Sequence, residues 1–254
     1  MAWVLDLDGV VWRGSDPIAG AADAVARVRA AGERVWFVTN NALPRRSEVV
    51  AKLIAHGMDP GDDVVTSPMA AASLVRPGER VLVCGGAGVT EAVEARGAEA
   101  VDASTAATGI DAVIVGLHLD FDYRRMANAC AAIRSGARFI ATNDDTTFPG
   151  ASGLQPGNGA LVASIATGSG ASPNVAGKPN GPMVDLVRSL AGSEGIAVGD
   201  RADTDGQFAR ALGYRFGLVL TGVTTRADLP VDPAPDVMAN DLGGLVDDLL
   251  GDRA

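Results

Sequence analysis

The chain has 254 residues, 47% of them apolar and 20% charged, which is enough for one large or two modest domains around a buried core and too apolar for a disordered chain. Its formal charge of −10 comes from 31 acidic and 21 basic residues, and no Lys/Arg block stands out that could neutralise a row of phosphates, so a nucleic-acid partner is disfavoured. Asp6 and Asp8 interrupt the N-terminal stretch where a signal peptide needs an apolar run, and no window reaches the length of a membrane span; the expectation is a soluble, cytoplasmic protein with no membrane partner.

Short β-branched runs alternate with Ala-rich helical patterns, the signature of an α/β fold with parallel strands. In chain order the sequence reads as a strand over 3–7, a helix near 21–31, a strand over 34–38, a helix near 46–55 and a short strand at 64–65. Pro77-Gly78 punctuates the chain, and a second series begins with a strand at 81–83, followed by a strand over 112–115, a helix over 123–135 and a strand at 139–141. Residues 168–182, rich in Gly, Ser, Pro and Asn, read as a loop returning to the first unit. That unit resumes with a helix near 183–190, a strand at 196–198, a helix over 205–212 and a strand over 216–220, so the first and last thirds should share one sheet. The two cysteines, Cys84 and Cys130, suit small buried hydrophobes better than a disulfide.

Asp6-Leu7-Asp8-Gly9-Val10 places two carboxylates two apart at the carboxyl end of an apolar strand, where open α/β sheets bind ligands. Period-two geometry would put both on one face while the strand lasts, and Gly9 would let the backbone turn and approach an anion. Carboxylates so close repel, which a divalent cation relieves; a plain Asp-Gly turn is the alternative. Thr39-Asn40-Asn41 offers a hydroxyl, amides and backbone N–H groups after the second strand, or simply a capped loop. Lys178, in Gly177-Lys178-Pro179, could present an ammonium group to phosphate oxygens, or be a solvated surface lysine. Asp200, Asp203 and Asp205 follow the strand at 196–198; helix N-capping by Asp203 or Thr204 explains one acid but not three.

These four segments, in this order, resemble the motifs of haloacid dehalogenase superfamily phosphatases. The Thr39-Asn40-Asn41 form and the large insert after it are similar to the NagD-like, p-nitrophenylphosphatase-like branch (subfamily IIA). The resemblance implies a Rossmann-like core with a mostly parallel sheet over residues 1–78 and 177–254, and a smaller α/β cap of the C2 type inserted over 79–176. It also implies a Mg²⁺-dependent phosphatase of a small phosphorylated metabolite, with a glycerol-phosphate-sized compound favoured by family analogy, and it admits a homodimer through the cap. Residue by residue, it makes Asp6 the nucleophile and Asp8 the general acid/base, with Mg²⁺ held by the Asp6 side chain, the Asp8 carbonyl and Asp200. Gly9, Thr39, Asn40, Asn41 and Lys178 then fall on the phosphate, and Asp205 supports the metal's waters or the lysine. Arg201-Ala202 and Gly206 depart from the larger apolar residues of relatives and put local packing in doubt.

The remaining features have plainer readings. Gly85-Gly86-Ala87-Gly88 imitates a dinucleotide fingerprint, but its third glycine position is Glu91, which favours a βα turn. His56 and His118 lie outside any metal-ligand spacing. Residues 142–145 and 157–159 could line the cap side of a site or make turns. The rival functions are a noncatalytic phospho-acceptor or phosphate-binding module, which would not need Asp8, and a phosphotransferase of the same superfamily.

Overall fold

The structure is a computed structural model describing residues 1–150 and 153–251; residues 151–152 of the expected cap and 252–254 of the expected core lie outside these. The buried run Ala-Trp-Val-Leu forms strand β1 (Ala2–Leu5), and a hairpin of β2 (Trp12–Arg13) with β3 (Asp16–Pro17) follows. Helix α1 (Ala21–Ala30) buries Ala21, Ala24, Val25 and Val28, the stripe that one amphipathic face requires. Then come β4 (Arg34–Thr39), α2 (Arg46–Ala55), β5 (Val64–Thr66) and α3 (Ser67–Ala72). The middle of the chain supplies β6 (Arg80–Cys84), α4 (Ala87–Ala95), β7 (Glu99–Asp102), β8 (Ala112–Val115), α5 (Tyr123–Arg134) and β9 (Arg138–Ala141). A hairpin of β10 (Thr147–Gly150) and β11 (Gly153–Pro156) leads to α6 (Asn158–Ser169) and β12 (Asn174–Val175). The last third holds α7 (Gly181–Ala191), β13 (Gly195–Gly199), α8 (Gln207–Leu212), β14 (Arg215–Val219), β15 (Val237–Ala239) and α9 (Leu242–Gly251).

The chain divides into two compact units. The first comprises Met1–Thr39, Ser47–Val65 and the chain from Val184 onward. Its sheet has the order β15-β14-β13-β1-β4-β5, with parallel pairing from β15 through to β4. The first and last thirds therefore do share one sheet, and the order reverses between β1 and β13, the place where such sheets open a crevice at their carboxyl ends. Leu5 sits level with Val198, so the loops that leave these two strands start side by side. Trp3, Leu5, Phe37, Ile196 and Val198 pack with α1 and with Leu242, Leu245 and Leu249 of α9, each large apolar side chain contributing about 1.5–3 kcal/mol by burial.

The second unit comprises Asn40–Arg46 and Thr66–Met183. Its parallel sheet runs β12-β9-β8-β6-β7. Val113, Val115 and Phe139 pack against Cys130 and Ile133 of α5 and Ile165 of α6. Cys84 and Cys130 are free and buried, as expected, and burial pushes the Cys84 thiol up to about 12, which keeps it protonated.

Two readings of the sequence need correction. Residues 168–182 are not one loop: α6 runs to Ser169, β12 forms at Asn174–Val175, and α7 begins at Gly181. The helix expected from Asp205 starts at Gln207, preceded by a π-turn over Ala202–Gly206 in which Gly206 donates to the Arg201 carbonyl at 3.1 Å. Among the described residues no helix is long and apolar enough to cross a membrane.

Candidate active site

Asp6 is the first residue beyond β1, and its N–H donates to the Val198 carbonyl at 2.9 Å. The chain then turns tightly, with Val11 and Trp12 donating their N–H groups to the Leu7 carbonyl at 2.9 and 3.1 Å. Gly9, at a φ of 82°, donates its N–H to the Trp12 carbonyl at 2.8 Å. The same turn brings the Trp12 indole N–H to 3.0 Å from Asp8 Oδ1. Lys52 of α2 lies over the Trp12 ring, with Nζ 3.8 Å from its centroid, and donates to the Gly14 carbonyl at 2.6 Å. Burial holds the Lys52 ammonium below its ordinary range, and the Asp8 charge opposes that.

Asp200 follows β13 and is buried. Its Oδ2 accepts the Val223 N–H at 2.5 Å, and its carbonyl accepts the Thr224 N–H at 3.2 Å. Gly222 makes this approach feasible, because a Cβ there would lie 2.6 Å from Asp200 Cβ and closer still to its carboxylate. Asp205 is also buried, and its Oδ2 accepts the Arg201 N–H at 3.2 Å. One carboxylate oxygen from each of Asp6, Asp200 and Asp205 falls within 4.8 Å of the others. Three carboxylates gathered this way, two of them buried, repel one another unless a cation is shared. Their hard oxygen donors fit a divalent ion of the Mg²⁺ type.

Asp203 does not cap a helix. It pairs with Arg201, Oδ2 at 2.9 Å from Nη2, and that hydrogen bond holds its carboxyl below the usual range. Gly206, whose lack of a large side chain was in doubt, faces Phe216 and Pro233, which would crowd a Cβ at 2.9 Å. Those two residues occupy the space.

The second unit carries the other predicted group. Lys178 is buried and joined to Pro179 by a cis peptide bond. The Asn40 side chain accepts the Lys178 N–H at 2.8 Å and donates to the Lys178 carbonyl at 3.1 Å and to Asp145 Oδ2 at 3.2 Å. The Asn40 carbonyl accepts from Ser67 Oγ at 2.6 Å and from Asn143 Nδ2 at 2.8 Å. Asn158 Nδ2 in turn donates to the Asn143 carbonyl at 2.7 Å. The stretches 142–145 and 157–159 therefore do more than turn the chain: they brace Asn40. Asn41 Oδ1 accepts the Leu43 N–H at 3.1 Å, an Asx turn.

Thus Asp6, Asp8, Gly9, Thr39, Asp200 and Asp205 belong to the first unit, and Asn40, Asn41 and Lys178 to the second. Both histidines are packing residues: His118 Nδ1 lies 2.9 Å from the Gly116 carbonyl, and the His56 ring is 6.0 Å from that of Trp12. Sequence reasoning passed over Trp12, Lys52 and Val223. Trp12 carried a readable signal, a large aromatic four residues beyond Asp8; Val223 carried none, because a backbone N–H has no sequence mark.

Residues 3–99 match the haloacid dehalogenase-like hydrolases, and residues 175–245 match a second, HAD-hydrolase-like description. Over 254 residues the chain is 39% identical to the D-glycerol 3-phosphate phosphatase of Mycobacterium tuberculosis, covering 96% of this chain and 70% of that protein. The chain belongs to the haloacid dehalogenase-like hydrolase family. This hydrolase is also 32% identical to the acid sugar phosphatase of Staphylococcus saprophyticus over 241 residues, 92% of each chain. The crystal structure of the M. tuberculosis glycerol phosphate phosphatase in complex with magnesium matches it with a TM-score of 0.87 at 38% identity, over 96% of this chain and 75% of that one. The two matched segments of the hydrolase contain all four motif segments, Asp6 to Asn41 in one and Lys178 to Asp205 in the other.

Proposed function

We propose that this hydrolase is a Mg²⁺-dependent phosphatase that cleaves a small organic phosphate monoester through an aspartyl-phosphate on Asp6. The observation that carries this reading is the convergence of Asp6, Asp200 and Asp205 at the carboxyl ends of β1 and β13. Asp6, the Asp8 carbonyl and Asp200 would hold the ion, with Asp205 beside them. Bound there, Mg²⁺ supplies charge neutralisation for the phosphoryl oxygens.

The Asp6 carboxylate attacks phosphorus as the ester P–O bond breaks, and the departing alkoxide takes the proton carried by Asp8. Asp8 then removes a proton from water, whose oxygen attacks the phosphorus and frees inorganic phosphate and Asp6. Lys178, the Thr39 hydroxyl and the backbone N–H groups of Asn40 and Asn41 neutralise and orient the transferred group, and Gly9 allows the chain to approach it. Trp12 holds Asp8 by its indole N–H.

Residues 79–176 serve as the cap and set substrate choice. The 39% identity to a D-glycerol 3-phosphate phosphatase favours a substrate of that size. A panel of glycerol 3-phosphate, phosphoglycolate, sugar phosphates, a nucleoside monophosphate and pyridoxal phosphate tests this: glycerol 3-phosphate should give the highest kcat/KM. Steady release of phosphate from p-nitrophenyl phosphate, abolished by EDTA and restored by Mg²⁺, separates hydrolysis from a phosphotransferase or a phospho-acceptor module. Absence of turnover across the panel defeats the phosphatase reading. The enzyme acts in the cytoplasm, in keeping with two unpaired cysteines. A homodimer through the insert completes the reading, with Leu119 and Tyr123 exposed there; sedimentation that gives a monomer removes it.

A further inference from the structure

We infer that Asn40 is a positioning residue for Lys178, its side-chain amide clamping the lysine backbone at both its N–H and its C=O. This rests on the reading of Lys178 as the cation that meets the phosphoryl group. A primary amide has two N–H donors and one carbonyl oxygen. Asn40 Oδ1 takes the Lys178 N–H at 2.8 Å, while Nδ2 gives one hydrogen to the Lys178 carbonyl at 3.1 Å and the other to Asp145 at 3.2 Å. Both amide hydrogens are thereby committed, so the side chain has no donor left for a phosphate oxygen. What Asn40 contributes through its side chain it contributes through Lys178.

The surroundings are built for the clamp. Gly177 admits both the amide and the neighbouring chain: a Cβ there would lie 2.6 Å from Asn40 Oδ1 and closer still to the Thr142 carbonyl oxygen. The Asn40 backbone is pinned by Ser67 and Asn143, and Asn143 by Asn158. A lysine has a flexible four-carbon stem, so its ammonium can be placed accurately only if the backbone beneath it cannot rotate. Misplacing a catalytic group by about 1 Å can cost about 100-fold in rate.

A double-mutant cycle on the full chain tests the inference. With p-nitrophenyl phosphate and Mg²⁺, Asn40→Ala should lower kcat by about 10-fold or more with Lys178 present, and by less than about 2-fold in a Lys178→Ala background, because the two residues act as one unit. Gly177→Ala, which crowds the amide, should show the same pattern. Asn40→Asp, which keeps the shape and the acceptor but not the donor, covers the case in which Asn40→Ala fails to fold. Independently of turnover, exchange of the Lys178 amide hydrogen, measured without Mg²⁺ or substrate, should speed up by about 10-fold or more in Asn40→Ala, which removes its acceptor. Equal losses of kcat in both backgrounds, or an unchanged exchange rate at Lys178, overturn the inference. A wild-type enzyme with no turnover defeats the phosphatase reading instead, and the exchange rate still decides the clamp.

Discussion

Asp6 and Asp200 are fixed by backbone groups drawn from different distances along the chain. Asp6 hangs from the Val198 carbonyl as a direct continuation of the β1–β13 ladder, whereas Asp200 is gripped by the Val223 N–H beyond the next strand. Replacing Asp6 with Asn removes the attacking anion and nearly preserves shape, so kcat should fall below about a tenth of wild type; steady-state phosphate release checks this, and a higher rate excludes an essential nucleophile. Gly222→Ala removes no carboxylate but drives a methyl group into that of Asp200 and must displace it. Its expected effect is an affinity for Mg²⁺ weakened by about 10-fold, the range seen when a group supporting a ligand is disturbed, with the melting temperature as the control for folding. An unchanged calorimetric titration would show that the loop around Gly222 does not support the ion. The acids themselves were legible because each lies in a short run directly after an apolar strand. Trp12 and Val223 were not singled out, since their contacts with Asp8 and Asp200 exist only once the chain has turned or a further strand has joined the sheet.

At the scale of elements, strands and helices with uninterrupted apolar patterns were readable to within a residue or two: α2 and β8 match their expected bounds. Helices broken by glycine were passed over. α9 reads Leu-Gly-Gly-Leu-Val-Asp-Asp-Leu-Leu-Gly, yet Leu242, Leu245, Val246 and Leu249 form one buried stripe, and tertiary packing outweighs the roughly 1 kcal/mol that each interior glycine costs. β15 was missed because it is three residues long, with Met238 exposed and Val237 and Ala239 only partly buried. Its neighbour β14 is tied to α8 through Asp236, whose Oδ2 accepts the Phe216 N–H at 2.7 Å and Arg210 Nη1 at 2.6 Å. Burial raises the Asp236 carboxyl, but the Phe216 N–H and the Arg210 guanidinium together outweigh it and leave it below its ordinary value. A carboxyl lowered in the folded state stabilises the fold above its unfolded pKa of about 3.9, and that stability is lost as the pH falls through the folded value. Because the Asp236 and Arg210 side chains are more than a third exposed and solvent screens the pair, Asp236→Asn should cost at most about 1 kcal/mol at pH 7, a drop in Tm of no more than about 2–4 °C for a chain of this size. The gap from wild type should close below about pH 4; thermal melts at the two pH values check it, and a gap that persists in acid means that shape, not charge, is at stake.

For the whole molecule, the α/β class and the mostly parallel sheet were legible from the alternation of elements. Less legible was that Asn40–Arg46 group with Thr66–Met183, because nothing in a short polar loop announces which sheet it serves. A chimera exchanging only residues 79–176 with a relative should transfer substrate ranking but melt several degrees lower than one that also exchanges 40–46. The shorter exchange splits the Asn143–Asn40 bond and the packing of Gly86 on Leu43 and Gly88 on Ala42. Equal melting temperatures would show that loop 40–46 is indifferent to the identity of the insert, and an unchanged substrate ranking in both would place specificity outside 79–176.

The contact between the two glycines and loop 42–44 also bears on descent. A Cβ at Gly86 would come within 3.0 Å of Leu43 Cα, and one at Gly88 within 2.9 Å of the Ala42 carbonyl, so a side chain can enter either position only if the facing loop withdraws in the same lineage. Two stretches of coding sequence more than forty codons apart are thereby bound to one history. Across aligned relatives, positions 42–44 and 86–88 should co-vary more strongly with each other than either does with its immediate neighbours in the chain. Independent drift at the two stretches would mean that the backbone yields there more easily than its close packing suggests.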